Sequence, residues 1–449
     1  MNILMVHYKT GGTDGVSLEM DKWRVCFEKM GHKVFYIAGE MDGEIIYDSL
    51  YHLSEIAKKF YSYSFQNKLV FKDENEYKNL LNIEVQKCEK ILAEFIENNN
   101  IDLVIPQNVF SVAMNIAVAI ALDNVIKRKK LKVLAQHHDF FWERKTELKY
   151  GCEEAKNISE KYLPPKDKKY KHVCINQQGH DTLLKRKQID SYIIPNVFDF
   201  EAKLWEIDNY NNDFKKDFNI NEKDILILQA TRIVDRKAIE LAIDVISKMN
   251  EIKDNYYDMK LYDNRIFDKN SNIVLVLAGY DDDDESNTYL FRLLEHAKKK
   301  NVILKIIGNR IDHSRAIKDK TKIYSLWDTY VFADIISYPS YWEGWGNQFL
   351  EAIFAKKPII VFEYPVFISD IKNKGFDYIS LKSNYSIDNK TRLVTIDDKI
   401  LADAALNTFE YLLKKDKREK SIEKNFKIGK LNFSITTLYK MLKDILEKI

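Results

Sequence analysis

DIISYPSYWEGWGNQFLEAIFAKKPIIVF, residues 334–362, decides the fold. An apolar run of strand length ends at Pro339, and a polar loop follows with Gly344 and Gly346 beside Glu343. From Asn347 the residues Phe349, Leu350, Ile353 and Phe354 recur at helical spacing, and a second apolar run, PIIVF, begins at Pro358. A strand, an amphipathic helix and a second strand in so short a stretch form a crossover unit, so the two strands run parallel.

The same alternation extends over most of the chain. In the first half the expected strands are residues 3–7, 33–38, 102–106, 132–136, 172–176 and 191–195; the second half restarts with 225–231, 272–279, 302–308, 334–339 and 358–362. A chain of 449 residues is more than one hydrophobic core organises, so two sheets in two domains are expected. The fold class is therefore α/β, with two Rossmann-like, doubly wound parallel-sheet domains. The polar stretch 198–222 carries no clear strand and follows Pro195-Asn196, which places the link there. The resulting division is an N-terminal domain 1–197, lengthened by a helical insertion at about 41–98, a second domain 198–425, and a helical tail 426–449 whose helix breaks at IGKLNF, 428–433.

Composition excludes several classes. Lysine and arginine total 70 against 68 acidic residues, a formal charge of +2, which gives no general attraction for nucleic acid. Four scattered cysteines, Cys26, Cys88, Cys152 and Cys174, form neither a disulfide framework nor a zinc motif and suit a reducing cytoplasm. The start, MNILMVHYKT, reads as a strand and not as a signal peptide, and the most apolar long stretch, 109–122, is too short to span a bilayer. Lysine runs at 127–130 and 166–169 leave peripheral membrane contact open, although such runs are usually solvated.

In open α/β sheets ligands lie beyond the carboxyl ends of strands, and four such places carry chemistry. After the first strand, Gly11, Gly12 and Gly15 precede a helix, a loop that serves equally as a tight turn or as a cradle for an anion. After strand 225–231 come Arg232, Asp235, Arg236 and Lys237; Arg232 and Lys237 together suit one diphosphate, against the plainer reading of a solvated basic loop. In the opening stretch, Glu343 lies before the helix and Glu351 about one turn into it. They either meet a sugar or ribose or complement the helix dipole. Finally, strand 132–136 delivers His137 and His138, with Asp139, Phe140, Phe141 and Trp142 behind them. Adjacent histidines point to different sides, so one can face a polar site while the other packs. The acidic run 281–284 reads as a solvated loop, and no metal site is expected.

In this order the segments resemble retaining nucleotide-sugar glycosyltransferases of the GT-B fold, family 4, the glycosyl transferases group 1. The resemblance rests on Glu343-x7-Glu351 in PSYWEGWGNQFLEAIFAKKPIIV, on ATRIVDRKAIELAI, IPNVFD (194–199), LAGYD (277–281) and GGTDGVSLE, and it covers nearly the whole chain. It implies two domains facing a central cleft, with the last helix packing back on the N-terminal domain. It also implies transfer of a hexose from a UDP-, GDP- or ADP-sugar to a hydroxyl of a sugar or small glycoside, without metal and with no cofactor beyond the donor. Position by position, Arg232 and Lys237 match the basic pair on the donor diphosphate, Glu351 the acid on the ribose, and Glu343 the acid near the donor sugar. Gly344, Trp345, Gly346 and Asn347 belong to the same donor-binding segment, Gly12 would offer a backbone N–H to the phosphate, and His138 would line the sugar pocket, with His137 second. IPNVFD departs from the family in having Val197-Phe198 where a glycine is common. GGTDGVSLE with HHDFFWER further resembles bacterial enzymes that build small soluble glycosides, mannosylglucosyl-glycerate types included. The alternatives are a lipid-linked or cell-envelope acceptor, a sugar-1-phosphate phosphorylase or epimerase of the same two-domain architecture, or a non-catalytic nucleotide-sugar-binding protein of the same fold.

Overall fold

A computed structural model describes residues 1–11, 15–143, 150–279 and 288–449. The chain divides into two units, Met1–Val197 with Ile435–Ile449, and Phe198–Ser434.

The N-terminal unit is built on β1 (Asn2–Val6), β2 (Lys33–Ile37), β3 (Leu103–Pro106), β4 (Lys132–His137), β5 (Tyr170–Cys174) and β6 (Tyr192–Ile193), in the order β2-β1-β3-β4-β5-β6. Every neighbouring pair is parallel. The buried residues of these strands are mostly Ile, Leu, Val and Met, as expected for a sheet covered on both faces. Helix α1 (Gly15–Lys29) follows β1. The segment 41–98 adds α2 (Glu55–Gln66) and the long α3 (Glu74–Asn98), which packs on α4 (Ile116–Lys129). Acids of this layer answer the basic run at 127–130: Arg128 pairs with Glu89 at 2.9 Å and Lys129 with Glu97, while Lys127 pairs with Asp123 of its own helix at 2.7 Å. Three of the four cations there are thus held by neighbouring carboxylates.

The second unit repeats the plan with β7 (Ile225–Gln229), β8 (Ile273–Leu277), β9 (Ile303–Ile306), β10 (Ile335–Tyr338), β11 (Ile359–Val361) and β12 (Ile379–Ser380), in the order β9-β8-β7-β10-β11-β12. All are parallel, with Ile227 beside Ile335 and Ile336 beside Ile359. The order reverses between β7 and β10, so the loops leaving those two strands diverge to opposite faces and leave a crevice at their carboxyl ends. The unit also contains helices α5 (Ile239–Ile252), α6 (Leu326–Phe332), α7 (Asn347–Phe354), α8 (Asp398–Leu413) and α9 (Lys415–Phe433). Helix α10 (Ile435–Leu446) belongs to the N-terminal unit, where Leu438, Leu442 and Ile445 join Met20, Trp23, Phe27, Ile3 and Leu103 in one core.

Two expectations change. IGKLNF does not break the tail helix; α9 runs through it to Phe433, and the break falls at Ser434. A Cβ on Gly429 would lie 2.6 Å from the Phe200 ring, so the glycine allows close packing in mid-helix and does not end it. The polar stretch after 197 is also no loose link. Phe198 donates its N–H to the Phe433 carbonyl at 2.8 Å, and Trp205 stacks on Trp327 with ring centroids 4.6 Å apart. Phe198, Phe200 and Trp205 all meet the fully buried Phe354 of α7. Replacing that ring, Phe354→Ala, is expected to destabilise the second unit by about 3–5 kcal/mol, read as a lowered midpoint of its transition in urea.

Candidate active site

The turn that leaves β7 carries Arg232, half-buried, and then a short 3-10 segment Asp235–Lys237. Its geometry is fixed locally. The Lys237 N–H donates to the Val234 carbonyl at 2.9 Å, and Ala238, in the left-handed region at φ 45, redirects the chain into α5. Gly279, just past β8, lets that neighbour come against the same turn, since a Cβ there would lie 1.8 Å from the Thr231 carbonyl oxygen.

The loop leaving β10 meets this turn directly. The Tyr341 N–H donates to the Arg236 carbonyl at 3.1 Å, and Arg236 Nη1 returns a hydrogen bond to the Trp342 carbonyl at 3.1 Å. Glu343, 8% exposed, accepts from Arg236 Nη1 at 2.5 Å through Oε2 and from Lys237 Nζ through Oε1. Burial pushes the Glu343 carboxyl up, but the Lys237 ammonium and the Arg236 guanidinium outweigh it and hold the group below the usual carboxylate range. Burial lowers Lys237, against the attraction of Glu343, and the Arg236 and Arg232 charges press it the same way. Lys237 therefore sits at the centre of a compact cationic group of three, with one carboxylate.

Beyond Glu343 the loop closes onto α7. Gly346 has φ +132, and a Cβ would lie 2.1 Å from the Tyr364 hydroxyl, which donates to the Trp345 carbonyl at 2.7 Å. Only glycine fits both the backbone and the space. Trp345 is buried against Phe433. Gly344 and Asn347 are half-buried, and Asn347 opens α7. Glu351, one turn in, is half-buried and accepts from the hydroxyl of Tyr330 on α6 at 2.6 Å. Burial, then the Glu351 charge, raises the Tyr330 hydroxyl far above its ordinary value, so it remains a donor.

In the N-terminal unit the two histidines take different surroundings. His137 is buried, with Nε2 3.0 Å from Nδ1 of His172 and the rings stacked; burial lowers His137 well below its ordinary value and His172 to about 4. His137 is thus packed inside and does not serve as the second sugar-facing histidine. His138 is half-buried, and its N–H donates to Asn108 Oδ1 at 2.7 Å; Asn108 itself follows β3 and reaches Asp139 at 3.3 Å. Gly12 and the acidic run 281–284 lie outside the described residues.

Sequence reasoning left three contributors without a role: Arg236, grouped with its neighbours only as a basic cluster, Tyr330 and Asn108. An arginine beside the expected diphosphate pair was a signal; Tyr330 and Asn108 offered none, because what each does depends on a distant partner. Among the described residues no cluster of His, Cys, Asp or Glu could hold a metal ion, and no helix is long and apolar enough to cross a membrane. A cavity of about 900 Å³ lies elsewhere in the second unit, lined by Tyr378, Ser380, Tyr411, Lys417, Ser421 and Lys424. Several of its polar groups are paired with nearby acids or with each other, as with Lys417 on Glu410, Lys424 on Asp377 and Tyr411 on Ser421. Nothing there points to a ligand.

Comparison with known proteins shows the fold and the family. A glycosyltransferase of Rickettsia africae superposes over 100% of this chain and 98% of its own, with a TM-score of 0.62 at 16% identity. The fold is that of the GT-B glycosyltransferases, two Rossmann-like domains. Residues 211–427 match the glycosyl transferases group 1. The mannosylglucosylglycerate synthase of Petrotoga mobilis is 41% identical over 385 residues, 85% of this chain and 87% of that protein. The synthase of the same name from Thermotoga maritima is 35% identical over 455 residues, 100% of this chain and 99% of that protein. The chain belongs to the glycosyl transferases group 1 and is a glycosyltransferase.

The substitution Gly346→Ala is expected to cost about 1–3 kcal/mol through a strained backbone and a displaced Tyr364. Thermal melting would show a lowered midpoint, and Tyr364→Phe combined with it would recover only part of the loss.

Proposed function

We propose that the chain is a retaining transferase that moves a mannosyl unit from a nucleoside diphosphate sugar to glucosylglycerate, forming mannosylglucosylglycerate. The observation that carries the donor assignment is positional: Arg232 and Lys237 leave β7, Glu343 and Glu351 follow β10, and these are the strands between which the sheet order reverses. Two strand-end loops with opposite charge meet where an open α/β sheet takes its ligands. The acceptor follows from what the two synthases are named for making, and likeness to them extends over 85% and 100% of this chain.

In this reading Arg232 and Lys237 hold the donor diphosphate and Glu351 accepts from the ribose hydroxyls, its carboxylate aligned by Tyr330. Glu343 stands at the donor sugar. The bond from the anomeric carbon to the diphosphate oxygen breaks through an oxocarbenium-like transition state, and charge accumulates on the leaving diphosphate. The cationic side chains and the N-terminal N–H groups of α7 stabilise that charge, in place of a metal. The acceptor oxygen forms the new bond on the face the diphosphate leaves, and its proton passes to a leaving phosphate oxygen. Configuration is thereby retained, and no protein nucleophile is needed. Gly12 and His138 are the N-terminal unit's part in this proposal, a backbone donor and a sugar-contacting ring.

Incubating the enzyme with UDP-, GDP- and ADP-sugars and glucosylglycerate, with and without EDTA, should give acceptor-dependent nucleotide release that EDTA leaves unchanged. Arg232→Ala and Lys237→Ala should each reduce transfer by about 100-fold or more. Full transfer by either variant would overturn the diphosphate assignment, and an inverted product would overturn retention.

A further inference from the structure

Arg236 is a group that neither the diphosphate pair nor the two acids account for. Its backbone carbonyl accepts from Tyr341, its guanidinium donates to the Trp342 carbonyl and to Glu343 Oε2, and its cation lies 5.7 Å from the centroid of the Trp342 ring. One residue of the turn after β7 thus makes four separate contacts with the loop after β10. Lys237 differs from it. Lys237 Nζ also reaches Glu343, through the other oxygen, but under the proposed donor assignment a diphosphate competes for that ammonium.

We propose that Arg236 is the positioning residue for Glu343, keeping the carboxylate ionised and aimed at the donor sugar while Lys237 turns to the diphosphate. The inference rests on the donor assignment made under Proposed function. Its physical basis is a division of labour between two cations on one carboxylate. A buried carboxylate with no partner is costly and takes up a proton. If Lys237 were its sole cation, donor binding would draw that cation away just when the carboxylate is needed. With Arg236 on the second oxygen, one charge-assisted hydrogen bond survives donor binding. The flat guanidinium is suited to this, since it can donate to Glu343 and to the Trp342 carbonyl together, whereas an ammonium replacing it would be a shorter point charge.

The other groups facing Glu343 do not offer a substitute. Tyr338 of β10 and Tyr364 beyond β11 are neutral phenols that burial raises far above their ordinary values, and the Ser340 hydroxyl beside the carboxylate brings no charge. Arg232 acts on Lys237 from the start of the turn. Among the described residues, Arg236 and Lys237 are therefore the cations paired with the carboxylate.

The test uses the full chain with substitutions Arg236→Gln, Arg236→Lys and Lys237→Ala. Nucleotide binding is measured by calorimetry with UDP, GDP and ADP, and transfer is followed against pH with the donor that supports turnover. For Arg236→Gln, nucleotide affinity should stay within about threefold of the parent while kcat falls by about 10- to 100-fold. The acid limb of kcat, which reports the donor complex, should move to higher pH, and by more than the acid limb of kcat/KM, which reports the free enzyme. Arg236→Lys should restore part of kcat and move the limb back. Glu343→Gln should lose activity without any such limb, so adding Arg236→Gln to it should cost little more. A fall in nucleotide affinity for Arg236→Gln as large as that for Lys237→Ala would make Arg236 a diphosphate ligand and overturn the proposal. An unchanged pH profile, or additive losses in the double variant, would also overturn it. Undiminished nucleotide binding by Lys237→Ala would instead show that the donor assignment had failed, and the proposal with it. Thermal melting of each variant separates these outcomes from unfolding, since the Arg236 side chain is about 29% exposed and lies on the rim of the turn.

Discussion

A carboxylate taken out of water must find its counter-charges, and in this chain the requirement on Glu343 joins two segments 106 residues apart in sequence. The turn after β7 and the loop after β10 diverge because the strand order reverses between them, so sheet topology alone does not make them meet. Arg236 and Lys237 bring them together, beside one main-chain hydrogen bond from Tyr341 to Arg236 and one from the Arg236 guanidinium to the Trp342 carbonyl. Such a buried arrangement adds little to net stability, since desolvation offsets much of the attraction. It does specify geometry. Where two groups must be held for transfer to within fractions of an ångström, geometry is what a transferase needs.

The surrounding packing serves that geometry. Gly279 admits β8 against the turn that holds Arg232, and Gly346 admits the Tyr364 hydroxyl against the loop that holds Glu343. Tyr330 reaches Glu351 from α6, whose first turn is fixed by a reciprocal cap between Ser325 and Asp328. At the opposite end of the sheet, Asp334 precedes β10 and is buried, accepting from the Leu226 N–H at 2.8 Å, the Tyr262 hydroxyl and Arg265. The strand that delivers the glutamate loop is thus held at both ends by charge and in its middle by apolar contact.

Much of this was legible in the sequence because parallel sheets write themselves as short apolar runs. Eleven such runs correspond to β1 through β11, each within a few residues. β12 was not legible, since two residues at a sheet edge, Ile379 and Ser380, make no pattern. Gly429 misled for a different reason: glycine commonly marks the end of a helix, and here it marks a close approach to Phe200. The aromatics of 198–205 read as polar linker because their neighbours are charged, yet the rings dock on Trp327 and Phe354. Motif spacing singled out Arg232, Lys237, Glu343 and Glu351 as candidates. It was silent on which cation pairs with which acid, because that depends on tertiary placement across a hundred residues.

The placement of α10 bears on how the molecule is made. Three apolar residues near the chain's end, Leu438, Leu442 and Ile445, complete the core that Ile3, Met20 and Trp23 begin. While the ribosome is still working, the first unit has its strands and most of its helices but lacks one wall, and the second unit can close first. Vectorial synthesis ordinarily lets an amino-terminal domain mature ahead of its successors; here that domain waits until α10 has been made. During that interval the face of α1 carrying Met20, Trp23 and Phe27 lacks the apolar cover that α10 later supplies.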